Sequence, residues 1–448
     1  MIDFSQLFAR QPKSEKHYDV IVAGGGPAGI GAALASAING ASTLILEGRS
    51  QFGGTATAGM WMNFNWIFRS NEEDSRGGIH QLLIDRIRSF GPAASCPGRR
   101  DPIVLNDGGN LDIHPEYFKK VIFDLFDEYQ IDYSLYAPIV GVVKDGSHLT
   151  GVQVGAKEGG TVYHGSVIID ATGDGDVAYL AGCDMENSNP AAGWRAPITL
   201  LFALCNVDTD RFYDWYRKKP AVLQGREFST LNEAMVWANS QGYAVPIGFS
   251  VDRGTLPGVL NFNFSTTRDM FLDGTRSYDL TVVEKLGVLQ ATELVRLGQD
   301  WKIPGLENAG LMRTGGFAAV RETRRLIGEY IFTEKDLMEG TDFPDAIASK
   351  YGGRDPMGDA YPNTNICQGA LYPYRSLLPK EVDGLLVAGR CGSASFQGHY
   401  GGKSMGNMLA IGQAAGCAAA LCAQNNVVPR ALDYKLIQQK LKDMGVIL

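Results

Sequence analysis

The chain has 448 residues, enough to bury a large core and usually to divide into two or three domains. Hydrophobic residues make up 45% and charged residues 20%, which excludes a disordered chain. A formal net charge of −8, with no basic run, argues against nucleic acid or an anionic membrane surface as the main partner.

The seven cysteines (Cys96, Cys183, Cys205, Cys367, Cys391, Cys417 and Cys422) are scattered and form no CxxC pair. That pattern fits reduced thiols better than a disulfide framework or a zinc site. The N-terminal stretch MIDFSQLFARQPKSEKH has no apolar core of signal-peptide type, and a cytoplasmic location is expected. The 55 glycines fall in bursts without a period. Such bursts mark places where backbone closely approaches something else.

The first burst has a context. An apolar run from Tyr18 to Ala23 reads as a buried parallel strand, followed by Gly24, Gly26 and Gly29 in GxGxxG spacing. The first glycine permits a tight turn, the second close approach to a pyrophosphate, and the third close helix–strand packing. Pro27 and Ala28 open a small-residue helix, expected to run from Ala28 to Asn39, whose first N–H groups face the phosphates. Gly40 stops it, and STLILE ends a second strand on Glu47, an acid placed to accept hydrogen bonds from ribose hydroxyls. Strand, turn, helix, strand and acid together make a dinucleotide site of Rossmann type. After the acid, Gly48, Arg49, the Gly53–Gly54 doublet and Thr55 resemble the second glycine signature of FAD enzymes related to glutathione reductase. That resemblance selects FAD over NAD.

The segment around Pro115 reads as an amphipathic helix, and His80 and His114 at helix starts are expected to make local contacts. Two or three strands follow within residues 132–173, separated by Asp145–Gly146 and Gly159–Gly160. They resemble the β-meander inserted in FAD domains, and Asp170, Ala171, Thr172 and Gly173 resemble its DATG signature beside the adenosine. Asp174 and Asp176 lack the glutamate of a calcium loop, so turn and capping chemistry is the expected reading and no metal is assigned.

From residue 197 to 309 aromatics replace glycine motifs and a long helical pattern begins near Ser277, which predicts a separate cap over the cofactor. Asn261, Asn263 and Arg268 alternate in a strand and its extension. A solvated sheet face is the favoured reading, and a pocket lining the alternative.

Residues 318–337 and 370–391 are the most distinctive stretch. With the N-terminal signatures they resemble the FAD-dependent oxidoreductase family that includes heterodisulfide reductase A-like flavoproteins. The resemblance implies two-electron or hydride chemistry on FAD, and matches Arg321 and the pair Tyr374–Arg375 to family positions. A ferredoxin-type cysteine run is absent from the sequence. Residues 384–389 read as the last strand of the cofactor sheet, ending at Gly389 and Arg390. A helix is expected from Ser404 and Met405, its N-terminus aimed at the flavin, with Gly401 and Gly402 against the ring and Lys403 adding charge. The charge-free run from Ser404 to Pro429, with Gly412 and Gly416 in GxxxG spacing, is expected to be a buried helix packed on a neighbour, not a membrane span.

The expected architecture is α/β. A Rossmann-like FAD-binding domain, with a mostly parallel sheet and an inserted β-meander, comprises 17–196 and 310–448, and an α+β cap comprises 197–309. The expected activity is hydride transfer between a small organic substrate and flavin N5. His399 and Tyr400 are the candidate bases, and Arg321 binds a substrate carboxylate or else holds its segment to a neighbouring acid. Cys391 reads as a buried structural thiol. With no second GxGxxG, a disulfide-reductase-type NAD(P)H domain is not expected; the acceptor stays open between oxygen, a quinone and a redox partner protein. The alternative is an electron-transfer subunit that binds FAD without a substrate of its own.

Overall fold

The computed structural model describes residues 10–69, 74–97, 109–187, 196–218, 220–264, 266–267, 270–352, 367–400 and 402–448. The chain opens with β1 (His17–Ala23), α1 (Pro27–Ile38) and β2 (Thr43–Leu46), all but fully buried apart from the ends. The helix Pro115–Glu128 (α2) leads to β3 (Asp132–Ser134), β4 (Ile139–Asp145), β5 (His148–Ala156) and β6 (Gly159–Asp170). Next come β7 (Phe202–Cys205), β8 (Phe249–Asp252), β9 (Leu260–Phe264), the long α3 (Ser277–Asp300) and β10 (Gly310–Thr314). The chain finishes with β11 (Leu385–Val387) and α4 (Met405–Asn425).

The main sheet has seven strands, ordered β3-β2-β1-β6-β5-β4, with β11 beside β6. The pairs β1/β2, β2/β3, β1/β6 and β6/β11 are parallel, whereas β6/β5 and β5/β4 are antiparallel. The meander is therefore fused into the main sheet. Strand β6 pairs with β5 through Gly159–His164, and its last three residues, Ile168 to Asp170, pair with β11. A twelve-residue strand is long enough to serve both partners. The stretch read from sequence as one strand from Asp132 splits in two: β3 joins the far edge of the parallel sheet and β4 joins the meander.

The second sheet is ordered β8-β9-β7-β10 and draws strands from both sides of residue 309. Strand β9 alternates. Leu260 and Phe262 pack with Phe202, Leu204 and the α3 residues Ala291, Leu294 and Leu297 into a core of their own. Buried α3 positions 283, 287, 291, 294, 297 and 298 recur every three or four residues, the spacing of a one-sided helix. That core is distinct from the large cluster under the main sheet, so the cap folds around its own apolar centre.

Helix α4 is long and apolar enough to cross a membrane by length and composition, and 94% of that stretch is buried inside the protein. Its packing partner is α1. A Cβ at Gly412 would overlap the Ala28 carbonyl, and one at Gly416 that of Ala32. In return, Gly31 of α1 would meet the Leu409 carbonyl at 2.5 Å. The GxxxG spacing thus lets two backbones touch.

Candidate functional site

The GxGxxG turn is fixed from behind. Gly24, at φ +98°, donates its N–H to the Leu46 carbonyl at 2.7 Å, and a side chain there would overlap the Ala171 carbonyl. A Cβ on Gly29 would overlap the Gly24 carbonyl. Gly26 behaves differently: an added Cβ meets nothing within 4 Å. It faces a continuous cleft of about 370 Å³ lined by Gly24, Gly26, Pro27 and Ala28 at this end. Gly54 closes over the turn, where a Cβ would lie 3.1 Å from Gly26 Cα, and Gly53 donates to the Gly25 carbonyl at 2.8 Å.

Glu47 is buried, and both carboxylate oxygens accept backbone hydrogen bonds: Oε2 from Gly25 N at 2.7 Å and Oε1 from Arg49 N at 2.8 Å. Each oxygen keeps a second lone pair for a ligand hydroxyl. Glu47, Gly48 and Arg49 line the cleft, as do Gly54 and Thr55. The Arg49 guanidinium stacks on Phe317, 3.9 Å from the ring centre, which draws the segment after the cap sheet onto the cleft wall.

Ala171, Thr172 and Gly173 line the opposite wall. The fully buried Asp170 holds this corner, its carboxylate accepting from Thr172 N at 3.1 Å, Thr172 Oγ1 at 2.7 Å and Ala178 N at 2.8 Å. Burial raises its pKa despite those bonds. Asp174 differs. Burial opposes its charge, but Arg390, donating at 2.5 Å, and Thr323 Oγ1 at 2.7 Å hold its carboxyl below the usual range. Burial and the neighbouring Asp174 and Asp170 push Asp176 up to about 6, against Arg324 at 2.5 Å. Turn and capping bonds thus fall to Asp170, whereas Asp174 and Asp176, expected to make them, are held in ion pairs with Arg390 and Arg324 because those arginines pack across from them.

The same cleft is lined by Gly389, Arg390, Lys403, Met405 and Met408. Residues near both ends of the chain, Gly26 and Lys403, share one cavity. Ser404 is the N-cap of α4, but its Oγ is buried and makes no hydrogen bond. The helix start is pinned by Asn407, whose Oδ1 accepts from Arg76 at 2.8 Å and Tyr351 N at 2.9 Å while its Nδ2 donates to the Tyr351 carbonyl at 2.6 Å. Arg76 also donates to the carbonyls of Trp66 and Ser349, and burial lowers its pKa to about 10. His80, its basicity suppressed by burial, bonds the Gly406 carbonyl through Nε2 at 2.8 Å. The His114 ring accepts from Glu116 N, the local contact expected of it, whereas His80, expected to be local too, instead ties its helix to the start of α4.

Of the residues expected to touch a cofactor, Gly29, Gly53, Gly402 and Ser404 lie outside the cleft lining. Gly29 and Gly53 shape the turn from beneath. Gly402 packs against the stem of Lys350, a buried lysine whose Nζ donates to the Gly398 carbonyl at 3.1 Å. Gly401 and the side chain of Tyr400 fall outside the described residues, as does Arg268.

His399 is 3% exposed and outside the cleft lining. Nε2 lies 3.2 Å from the Arg321 carbonyl, which can only accept, so the ring proton sits on Nε2. Burial, with Arg325, Lys403 and Lys350 around it, drives its pKa well below the ordinary value. Arg321 also stands outside the lining, beside the cleft residue Val320. Its partner is neutral: it donates to Asn263 Oδ1 at 3.2 Å, while its Nε is buried without a hydrogen bond. The acids of this region go to Arg324, paired with Asp176, and Arg325, paired with Glu186 at 2.5 Å and with Glu322. Arg375 forms a two-pronged pair with Asp345, and Tyr374 donates to the Pro429 carbonyl, so those family positions act in packing. Cys391 is fully buried with its thiol pKa raised by burial.

The solvated-face reading of Asn261 is overturned: the residue is 4% exposed, because the sheet face it occupies is covered. The cleft also contains residues the motifs did not single out, notably Phe317 and Pro138. The Gly315–Gly316 pair before Phe317 was the available signal. Gly316 N donates to the Ala58 carbonyl at 2.7 Å, a backbone approach that holds the segment at the cleft.

Residues 19–441 match the family described as FAD dependent oxidoreductase. The digeranylgeranylglycerophospholipid reductase of Picrophilus torridus is 31% identical over 219 residues, 45% of this chain and 50% of the relative. The enzyme of the same name from Thermoplasma acidophilum is 27% identical over 220 residues, 44% of this chain and 50% of the relative. The chain thus aligns with about half the length of these relatives. The crystal structure of a geranylgeranyl bacteriochlorophyll reductase-like protein from Thermoplasma acidophilum covers 96% of this chain and 83% of its own, at 16% identity and a TM-score of 0.51, a likeness of fold. With the family matched over nearly the whole length, the chain belongs to the FAD-dependent oxidoreductases, and FAD is its cofactor.

Proposed function

We propose that FAD lies along the cleft, its adenosine and pyrophosphate between Glu47 and Gly26 and its flavin toward Lys403 and the start of α4. On this reading the chain is an oxidoreductase that exchanges a hydride with a small organic substrate held under the cap. The single observation that carries it is the shared cleft of Gly26 and Lys403. Two further features fit the cofactor. A Cβ added at Gly26 would meet nothing within 4 Å, which leaves that backbone open to a pyrophosphate, and the cleft residue Lys403 adjoins the helix end that carries partial positive charge.

When bound, FAD supplies the two-electron chemistry at its ring system. The protein's own residues orient and polarise. Glu47 receives ribose hydroxyls, the α1 N-terminus receives phosphate charge, and the α4 N-terminus with Lys403 favours negative charge at the flavin end. His399, held neutral among three cations and bonded to the Arg321 carbonyl, acts as a positioning residue for the Arg321 segment. A protonated imidazole is disfavoured there, which speaks against its taking the substrate proton. The lipid named in the relatives favours a substrate with an apolar body and the reductive direction.

The test is direct. The purified protein is expected to show flavin absorbance, to release FAD on acid treatment, and to lose its colour anaerobically when a substrate reduces it. Protein that takes up no FAD on reconstitution removes the proposal.

A further inference from the structure

We infer that the face of the cap sheet bearing Asn261 and Asn263 carries a recognition site for a substrate carboxylate, with Asn261 and Arg321 as its specificity-determining residues. The inference deepens the proposed oxidoreductase reading and rests on it. In β9, Phe262 stacks on Phe202 with ring centres 5.0 Å apart, inside the cap core. The pleat therefore turns Asn261 and Asn263 to the other face.

Asn261 is 4% exposed, yet neither its Oδ1 nor its Nδ2 makes a hydrogen bond. Buried side-chain amides are ordinarily paired, and one with both ends unpaired demands a reason. The buried Nε of Arg321 and the Oγ1 of Thr255 are unpaired as well. The three belong to one patch. Arg321 reaches Asn263, two residues along the same face from Asn261 and about 7 Å away at strand spacing. Thr255 follows Gly254, where an added Cβ would lie 2.8 Å from Asn261 Nδ2.

The donors select the ligand. A guanidinium edge and an amide NH₂ match the planar two-oxygen geometry of a carboxylate. Arg321 has only a neutral partner, so it can receive an anion. Asp252, 3% exposed and opposite Asn261 in the ladder, opposes an anion at this patch and a dianion more strongly, so the single charge of a carboxylate rests on Arg321. Ala203, on the other side of Asn261 in register, joins Met60, Leu201 and Val259 in an apolar cluster on this same face. The site accordingly takes an organic acid with an apolar body, and Val320, which lines the cleft, adjoins Arg321 in the chain.

The FAD-bound protein would be titrated with octanoate, octan-1-ol and octyl phosphate by calorimetry and flavin absorbance. Octanoate should bind at least about tenfold tighter than the alcohol, the scale of one charge-assisted pair. Asn261→Leu should weaken octanoate about tenfold, leave the alcohol unchanged, and raise the Tm of the ligand-free holoprotein, because an unpaired amide is replaced by carbon of similar volume. Arg321→Gln should abolish the preference for the acid. Equal binding of acid and alcohol overturns the inference, as does Asn261→Leu that lowers Tm with octanoate binding intact. Tighter binding of octyl phosphate makes the patch a phosphate site and overturns it too. Normal FAD content with no octanoate preference sinks this inference alone, whereas absent FAD sinks the functional reading beneath it.

Discussion

Three glycines in one motif do three separable jobs, and substitution distinguishes them. Gly26→Ala should leave the Tm of the FAD-free protein unchanged and weaken FAD tenfold or more, because its Cβ meets only the cleft. Gly24→Ala and Gly29→Ala should instead lower Tm in the FAD-free protein, since each places carbon on a backbone carbonyl. Thermal melts beside FAD titrations read both. Asp176 gives a second single-residue outcome. Its folded-state pKa of about 6 exceeds the ordinary 3.8, so the folded chain holds that proton more tightly than the unfolded chain. Its contribution to stability should fall as pH rises from about 4 to about 6 and then level off. With the side chain 42% exposed, solvent screening reduces the effect to on the order of 1 kcal/mol. Denaturant melts across that range should flatten in Asp176→Asn; an unaltered slope would assign it to another group.

Between elements, the deciding contact is the crossing of α1 and α4. Alanine and glycine carry little side-chain energy individually, yet here they let α1 and α4 share a backbone-to-backbone seam. Gly412→Ala drives a methyl into the Ala28 carbonyl, one residue from the start of α1. Overpacking of this kind costs about 1–3 kcal/mol. The variant should lose stability by that amount in denaturant titration and bind FAD more weakly, since shifting either helix moves one end of the cleft. The seam is pinned again at Ser36, whose hydroxyl donates to the Gly416 carbonyl at 3.2 Å. At the other end of α4, Arg76 and Asn407 fix the helix start to the Ser349–Tyr351 strand.

For the whole molecule, FAD would act as a clasp between segments at opposite ends of the sequence and the cap-side residues Phe317 to Val320. A ligand that binds only the folded chain stabilises it by mass action, about 2.7 kcal/mol at a hundredfold excess over Kd. Added FAD should therefore raise Tm in proportion to the logarithm of its concentration. A Tm that ignores FAD would place the cofactor elsewhere. The cap has its own apolar core, so its ordering need not follow that of the main sheet. Arg49 on Phe317 is one contact through which occupation of the cleft can reach the cap.

The local code was legible because it is written in backbone requirements. The turn at Gly24 needs a conformation few other residues adopt, the run Thr43–Leu46 is apolar because both faces are buried, and α4 is glycine- and alanine-rich because another backbone touches it. Those constraints act within a few residues, so sequence alone determined the fold class and a dinucleotide site, while the choice of FAD came from resemblance to a known family. Partner choice among side chains was not legible. The fusion of the meander into the main sheet depends on β6 being shared by two neighbours. Whether Arg321 met an acid or Asn263, whether His399 faced the cleft or the Arg321 carbonyl, and whether Asn261 met solvent all depended on what packed across from them. Contacts between residues far apart in the chain are set by the three-dimensional arrangement of whole elements, and only the tertiary structure decided them.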